Sequence, residues 1–392
     1  MRLIQYLLLL LTLATGTAAI ADSWSRPERT TVYSSDRSHR FTMTPRDLSS
    51  SLAYFKEAVE GKERPGQRSG KSNKRPSGRL EQKTADGRWD VVWEKPLVND
   101  VAPVDTAVSD SGRFVATLDN WHFMGHDDHV VVFYGADGTL IRSLDLPDIL
   151  PDYFIKALPH SVSSIHWRGD AAFLDDKLIL KIVVPSSDGL SEDARFVDLV
   201  LDPASGVSSP VVQADWQLAV KEAHRVAAEK DAAEREQRLF FTTPLIGPAT
   251  TTEFDWDKYL TEAFFRLDPD WRDGFPSIEV LRSPSASDYQ PSAVSLRDAL
   301  REKDLPADVL MIASPASADN LVGELNRIVG SMLPGSLKDA RIYVAVPHSH
   351  REPLFQALAP TGATLIYLDP AAAIPQRPER LREFASDWRE KG

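Results

Sequence analysis

The sequence predicts a chain of mixed α and β structure with several domains: an antiparallel β domain, a helical connector and an α/β domain with a mainly parallel sheet. Up to about Pro210, short β-branched runs alternate apolar and polar residues, which is typical of antiparallel hairpins. After Ala214 the apolar residues repeat at helical spacing, and towards the C-terminus buried-type strands alternate with helices, as in βαβ units. The expected boundaries are 1–21 for a signal peptide, 22–210 for the β domain, 211–275 for the connector and 276–392 for the α/β domain.

The N-terminus has the pattern of a secretory signal peptide. Arg2 precedes an apolar run, and small residues lead to Ala19-Ile20-Ala21, so we expect cleavage after Ala21 and a periplasmic or secreted protein. A single membrane anchor is the competing interpretation. No later segment reaches the roughly 18 to 20 apolar residues that a membrane helix needs, so no stable span is expected after cleavage.

Composition narrows the classes of partner. The chain has 57 acidic and 45 basic residues and a formal net charge of −12, which argues against nucleic-acid binding because such binding needs a basic face. Cysteine is absent, so neither disulfides nor a lipid-modified cysteine can stabilise or anchor the chain.

The β domain is expected to consist of blade-like hairpin repeats. The stretch "YSSDRSHRFTMT" resembles "VSDSGRFVAT", each leads to a hairpin with an Asp-Gly turn, and a looser third copy begins at "SSIHWRGDAAFL". A closed propeller typically has about four to eight blades, so three copies favour an open sheet or a sandwich. The strands expected are "HRFTMT", "RWDVVW", "RFVATL", "HVVVFY", "TLIRSL", "KLILKIVV" and "RFVDLVL".

A basic insertion interrupts the first copy. The segment Glu60–Arg79 contains seven Lys or Arg, two Glu and almost no apolar residue. Such a composition cannot bury enough surface to offset its ordering entropy, so we expect disorder. The alternative is a basic tether that contacts acidic glycans, lipid headgroups or a partner.

The connector and the α/β domain are defined by helical periodicity and caps. A long helix is expected over "ADWQLAVKEAHRVAAEKDAAEREQRLF", and a second, capped by Thr252 or Asp255, over "FDWDKYLTEAFFRL". Ser295 and Asp298 form a capping pattern for "SLRDALREKD". The strands expected around the remaining helices are "SIEVLR", "DVLMIA", "ARIYVAV" and "ATLIYL".

A segment rich in His and Asp, "DNWHFMGHDDH", is the first candidate site. Imidazoles and carboxylates are suitable ligands for zinc or another divalent metal, and the three aspartates would suit calcium, although their spacing is not that of an EF-hand. The competing interpretation is a polar loop with Trp121 and Phe123 packed on the sheet. The candidate ligands are Asp119, His122, His126, Asp127, Asp128 and His129.

The second candidate site is the C-terminal edge of the parallel sheet, where ligands of open α/β sheets usually bind. A Ser, a His and an Asp at one edge are compatible with a serine hydrolase, but no G-x-S-x-G elbow or phosphate-binding loop is present, and helix caps explain the same residues. The candidate residues are Ser314, Ser317, Asp319, His348, His350, Arg351 and Asp369.

Tryptophans form a third set. Trp89 and Trp93 share one face of an expected strand, and Trp121 and Trp167 lie in the same domain. An exposed row would suit sugar or peptide contacts, whereas core packing is the commoner role of such side chains.

The stretch "LVNDVAPVDTAVSDSGRFVATLDNWH", the following "HVVVFYGADG" and the later "HSVSSIHW" resemble a family of exported bacterial proteins. That family is uncharacterised and carries a similar "VSDDGRYVVTFDNWH…VVVIY" block. The resemblance covers about residues 87–203. It implies an autonomous β domain and no known activity, so no functional residue follows from it.

The leading hypothesis is an exported, non-enzymatic binding protein for a small ligand or an envelope protein. The alternative is an envelope-associated hydrolase, metal-dependent through residues 119–129 or serine-type at the sheet edge. A structural scaffold is the third reading. No cofactor is predicted beyond that divalent metal.

Overall fold

The computed structural model describes residues 24–70, 73–126, 128–161, 163–189, 194–301 and 308–390, with side chains up to residue 384. The expected signal peptide therefore lies outside the described residues. The chain forms two compact units, Met1–Arg235 and Glu236–Gly392. The fold class predicted from the sequence is confirmed: antiparallel sheets occupy the first unit and a parallel sheet the second.

The first unit contains three four-stranded antiparallel meanders, each ordered as its strands follow along the chain. The first sheet consists of β1 (Thr30–Tyr33), β2 (His39–Thr44), β3 (Ser77–Lys83) and β4 (Trp89–Pro96). The second consists of β5 (Pro103–Val108), β6 (Val115–Asn120), β7 (Val131–Tyr134) and β8 (Leu140–Leu144). The third consists of β9 (Arg168–Leu174), β10 (Lys177–Val183), β11 (Phe196–Leu201) and β12 (Ser208–Pro210).

The turns between the first two strands of the sheets lie side by side. In the β1–β2 turn the amide of Asp36 donates to Asp110 Oδ1 in the β5–β6 turn at 2.9 Å. Ser111 in that second turn hydrogen-bonds to Asp176, which joins β9 to β10. The three copies recognised in the sequence therefore place equivalent turns at the same end of the unit.

The two central strands of the second sheet are buried on both faces, which explains the continuous apolar run in β7. Val132 and Tyr134 pack into a core with the first sheet, around Phe41 and Leu80. Their neighbours Val131 and Phe133 point to the other face and join the core of the third sheet. Period-two alternation of side chains thus supplies both cores from one strand.

Three of the four tryptophans considered from the sequence are core residues. Trp93, Trp121 and Trp167 are 5%, 6% and 0% exposed. Trp89 is partly buried and lies under the Arg40 guanidinium, 4.5 Å from the ring centroid. The structure therefore does not present the exposed aromatic row considered from the sequence.

The β domain also contains three helices that the sequence pattern does not predict. They are α1 (Ser51–Val59), α2 (Leu146–Ile149) and α3 (Asp152–Ala157). Ser50 caps α1 by accepting a hydrogen bond from the amide of Ala53. The basic insertion follows α1. Its last residues, Ser77 to Arg79, belong to β3, and Pro65 and Gly66 are buried. The prediction that the whole of 60–79 is disordered is therefore wrong for these residues.

The long helix expected after Ala214 is α4 (Gln213–Thr242). Ala219, Ala223 and Val226 pack against the core of the third sheet, and the rest of the helix is mostly exposed. Thr252, not Asp255, caps α5 (Glu253–Leu267), since its side chain accepts from the amide of Asp255.

The second unit is built on a parallel sheet in the order β13 (Ser277–Val280), β14 (Val309–Ala313), β15 (Arg341–Ala345) and β16 (Thr364–Leu368). Its helices, besides α5, are α6 (Tyr289–Arg301), α7 (Ala318–Val329), α8 (Arg351–Leu358) and α9 (Pro378–Glu390). The capping role expected of Ser295 is wrong, because α6 begins at Tyr289 and Ser295 lies inside it, donating to Glu279 at 3.1 Å.

A buried ionic network closes this unit. Arg266 is 4% exposed and pairs with Glu262 at 2.8 Å. Its guanidinium also donates to the carbonyls of Thr243 and Ile374, at 2.8 and 3.0 Å.

Among the helices that the structure describes, none has both the length and the apolarity for a transmembrane span.

Candidate functional site

A pocket of about 510 Å³ lies in the first unit, at the end of the second sheet away from the β5–β6 turn. It is formed by α1, the β4–β5 connection and the His/Asp segment that joins β6 to β7. Its lining residues are Tyr54, Val98, Asp100, Val101, Asn120, Trp121, His122, Phe123, Asp128 and His129. The segment singled out from the sequence therefore forms most of one wall.

Asp119 anchors that wall from inside the protein. It is 0% exposed, and its Oδ1 accepts hydrogen bonds from the Trp167 indole and the Gly125 amide, both at 2.8 Å. Its Oδ2 accepts from Arg168 Nε at 2.8 Å. Burial raises the pKa of Asp119 above its ordinary value, although Arg168 and the other donors oppose the shift. The three groups that bond to it are all donors, and hydrogen-bond donors stabilise the carboxylate over the protonated acid.

The backbone of the segment is held in the left-handed region at several positions. Asp119, His122 and His129 have φ of 57°, 66° and 71°, and Gly125 has 72°. Asp and His visit this region more readily than most residues, but three in one short segment is uncommon. Such strain persists only when surrounding contacts enforce it, and it concentrates at binding sites.

Aromatic side chains surround His122. The imidazole is 5% exposed, and its Nε2 lies 2.7 Å from the Tyr54 hydroxyl. Trp121 packs edge-on against Tyr54, with ring centroids 5.1 Å apart, and its indole donates to the Ser25 carbonyl at 2.9 Å. Phe123 packs on the imidazole at 4.0 Å and is 38% exposed, so it presents an apolar ring at the pocket.

The histidines do not converge as a metal site would require. His122 bonds to Tyr54, whereas His129 Nδ1 lies 2.7 Å from Ser143 Oγ. His126 lies against His160, with ring centroids 6.5 Å apart. Asp128 is exposed, and Asp127 lies outside the described residues. Across the described ranges, no three His, Cys, Asp or Glu side chains are grouped so that they could hold a metal ion.

A buried arginine stands beside the pocket and had no signal in the sequence. The Arg46 side chain is 1% exposed and its Nη2 reaches Asp100 Oδ2 at 3.2 Å and the Pro65 carbonyl at 3.2 Å. Its Nε and Nη1 have no hydrogen-bond partner within the part of the chain that the structure describes. Its Cζ is 5.9 Å from the Tyr54 ring centroid, so a fixed positive charge lies beside two lining residues.

At the C-terminal edge of the parallel sheet, the serine candidates have structural roles. Ser314 is 3% exposed and donates to the Ser317 and Leu281 carbonyls, at 2.9 and 3.3 Å. Ser317 caps α7 by accepting from the amide of Asn320. Within the described residues, neither serine is hydrogen-bonded to a histidine. These two serines therefore do not form the Ser-His arrangement that a serine hydrolase needs.

Of the other residues predicted at this edge, His350 and Asp319 are in hydrogen-bond contact, and Arg351 and His348 contact a shared aromatic ring. His350 Nε2 lies 3.0 Å from Asp319 Oδ1, and Asp319 is 93% exposed, so the pair is solvated. Arg351 lies over the Tyr367 ring at 5.4 Å, and His348 meets the same ring edge-on at 5.8 Å. Asp369 Oδ1 accepts from the amide of Ala371 at 3.0 Å, as in an Asx turn.

Comparison with known proteins adds no assignment: no family model matches the chain, and no curated protein matches it. The functional argument therefore rests on the geometry of the pocket.

Proposed function

We propose that the protein is an exported binding protein, without catalytic activity, that takes a small hydroxylated ring compound, a saccharide first of all, into the pocket beside Asp119. The observation that carries the proposal is the lining of the pocket. Aromatic rings and hydrogen-bonding side chains face one space of about 510 Å³, which lies within the range of small-molecule sites.

The polar groups suit a ligand that donates hydrogen bonds. Asp100 and Asp128 offer carboxylate oxygens at the pocket. The Asn120 amide holds this wall together, since it donates to the Asp128 carbonyl and accepts from Asn99, both at 2.7 Å. A sugar presents hydroxyls at its edge and an apolar C–H face, and that face packs well on an aromatic ring such as Phe123. Asp100 is held in place by Arg46, which favours a preorganised acceptor over a flexible one.

The two histidines of the pocket and the neighbouring Asp119 are engaged in structural bonds. Asp119 already accepts three hydrogen bonds, His122 meets Tyr54, and His129 meets Ser143. A catalytic base must reach the proton it removes. This arrangement supports binding more than turnover.

The proposal that the protein is exported rests on the signal-peptide pattern at residues 1–21. N-terminal sequencing of the protein from a secreting host tests it.

Trp121 gives the binding test a direct readout because it lines the pocket. We would titrate a panel of mono- and disaccharides, neutral and amino-substituted, and follow tryptophan fluorescence and heat. A supporting result is saturable binding that weakens at least tenfold in Asp100→Asn and Asp128→Asn. Asp170→Asn is the matched control, since Asp170 is an exposed aspartate on β9 that does not line this pocket.

Two outcomes would contradict the proposal. Saccharide binding that is unchanged in both pocket variants would place the site elsewhere. Absence of any response across the panel at millimolar concentration would exclude saccharides as the ligand class. Mass spectrometry of the bound saccharide after prolonged incubation distinguishes binding from hydrolysis, because a hydrolase would release shortened products.

A further inference from the structure

We propose that helix α1 and the basic segment after it form a peripheral docking surface for an anionic lipid bilayer. This inference does not depend on the proposed function of the pocket. It rests on an apolar helix face that points to solvent and on cations concentrated next to it in an otherwise acidic chain.

The apolar face of α1 is turned outwards. Leu52 and Val59 are 79% and 91% exposed, and Phe55 is 38% exposed. At 100° per residue these three side chains fall within one narrow stripe of the helix. Tyr54, on the opposite side, is 7% exposed and anchors α1 to the core of the first sheet. Phe55 also stacks on Trp121, with ring centroids 5.8 Å apart, so the apolar side chains that the described part of the unit leaves mostly uncovered are Leu52 and Val59.

Cations follow the stripe immediately. Lys56 is exposed beside it, and Lys62, Arg64, Arg68, Lys74 and Arg75 are all exposed in the segment that leads to β3. Lys62 pairs with Glu57 and Glu60, at 3.1 and 3.3 Å. The whole chain carries a net charge of −12, so this positive concentration opposes the overall charge.

An apolar helix face flanked by Lys and Arg is the combination that lies in the interface of an anionic bilayer. The apolar side chains enter the acyl boundary and the cations meet the headgroup charge. The segment is held near the helix, because Gly66 donates its amide to Glu57 at 2.8 Å and the Pro65 carbonyl accepts from Arg46. Gly66 also packs on Tyr54, so the segment passes along the side of α1 opposite the stripe. Its cations would act on the headgroups through their charge, which reaches about 10 Å at 0.1 M salt.

Vesicle co-sedimentation of the full chain tests the proposal. Vesicles of phosphatidylcholine alone are compared with vesicles that contain 30% phosphatidylglycerol, and every variant keeps the same N-terminus so that residues 1–21 contribute equally. We expect binding to the anionic vesicles that falls when salt is raised from about 0.05 to 0.5 M.

Two sets of variants separate the apolar and electrostatic parts. Leu52→Ser with Val59→Ser should lower the partition coefficient at least about tenfold. Arg64→Gln, Lys74→Gln and Arg75→Gln together should lower it by on the order of a hundredfold at low salt.

Matched controls lie elsewhere on the first unit. Leu174→Ser with Val207→Ser removes side chains that are 64% and 63% exposed. The charge control replaces the exposed Lys83, Lys221 and Arg235 by Gln. Both controls should bind as the unaltered chain does, and circular dichroism checks that all variants fold.

Equal affinity for neutral and anionic vesicles, no binding to either, or equal losses in test and control variants would each overturn the proposal. Sedimentation in solution covers another occupant: a dimer that Leu52→Ser with Val59→Ser dissociates, without vesicle binding, would assign the surface to a second copy of the chain.

Discussion

Replacing Asp119 by Asn should destabilise the first unit far more than a single surface charge would. Asn tolerates the left-handed backbone, where Asp119 has φ of 57°, and it keeps one oxygen for Trp167 and Gly125. It loses the ion pair to Arg168, whose side chain is 6% exposed, and turns an amide donor towards that guanidinium. The change therefore isolates charge and hydrogen bonding from backbone strain.

The expected magnitude follows from burial. Removing one partner of a buried ion pair costs about 3–5 kcal/mol, because the other charge stays buried. Arg168 keeps a second contact, Asp105 at 3.5 Å, and a bond to the Gly169 carbonyl, which places the loss near the lower limit. We expect the free energy of unfolding to fall by about 3 kcal/mol.

The assay is urea unfolding followed by tryptophan fluorescence, since Trp167 is bonded to the substituted side chain. Asp105→Asn is the matched control: Asp105 is 45% exposed and meets the same arginine, so its loss should stay below about 1 kcal/mol. A double-mutant cycle with Arg168→Gln should give a coupling of at least about 2 kcal/mol. A loss for Asp119→Asn no larger than that of Asp105→Asn would refute the argument.

Three further predictions concern other parts of the structure. Burial lowers the pKa of His160 below its ordinary 6.5, so the unfolded chain takes up the proton first. The free energy of unfolding should fall as pH drops from about 6.5 towards the folded-state pKa, and His160→Gln should flatten this dependence in urea titrations; identical slopes would rule the explanation out. Gly125→Ala, at φ 72° and with its new Cβ 2.9 Å from Ile165, should lose about 2 kcal/mol or more and exceed Gly87→Ala, where φ is 84° and no atom lies within 4 Å. Equal losses in the two would remove close packing as the cause. Arg266→Lys should destabilise the second unit by about 3 kcal/mol in thermal unfolding, because an ammonium cannot reproduce the planar donors; a loss below about 1 kcal/mol would show that the network is not needed.

Local patterns were enough for most of the regular elements. The β-branched apolar run in "HVVVFY" predicted β7, and Asp137-Gly138 predicted the turn to β8, where Gly138 has φ of 76°. Helical periodicity predicted α4, and one of the two expected caps, Thr252, is found at the start of α5. These features are encoded within a few residues of themselves, since period and cap chemistry depend on near neighbours.

Elements without a strong local period escaped prediction. Helix α1 buries Tyr54 but exposes Leu52 and Val59, so its pattern of apolar residues is not that of a core helix. The first turn of α6 precedes the Ser295 capping pattern, which lies in the middle of the helix. In both cases the contacts that stabilise the helix come from distant residues, and a reading based on spacing cannot weigh them.

The candidate site shows the same division. The composition of residues 119–129 is enough to single out the segment that lines the pocket. It does not predict what each side chain of the segment does. Asp119 is a candidate metal ligand in the sequence. In the structure its carboxylate accepts hydrogen bonds from Trp167 and Arg168, which lie far along the chain on or next to β9. Arg46 could not be associated with the pocket until the fold brought it to Asp100.

By itself, the sequence determined the order of fold types, the turns and the segment that carries the pocket, because hydrophobic period and turn chemistry act over short distances. Only the tertiary structure decided which polar groups are buried together and which apolar face is left in solvent. Those properties depend on which residues pack against a given side chain. The arrangement of the sheets in space brings donors to Asp119, and it leaves one face of α1 without neighbours among the described residues.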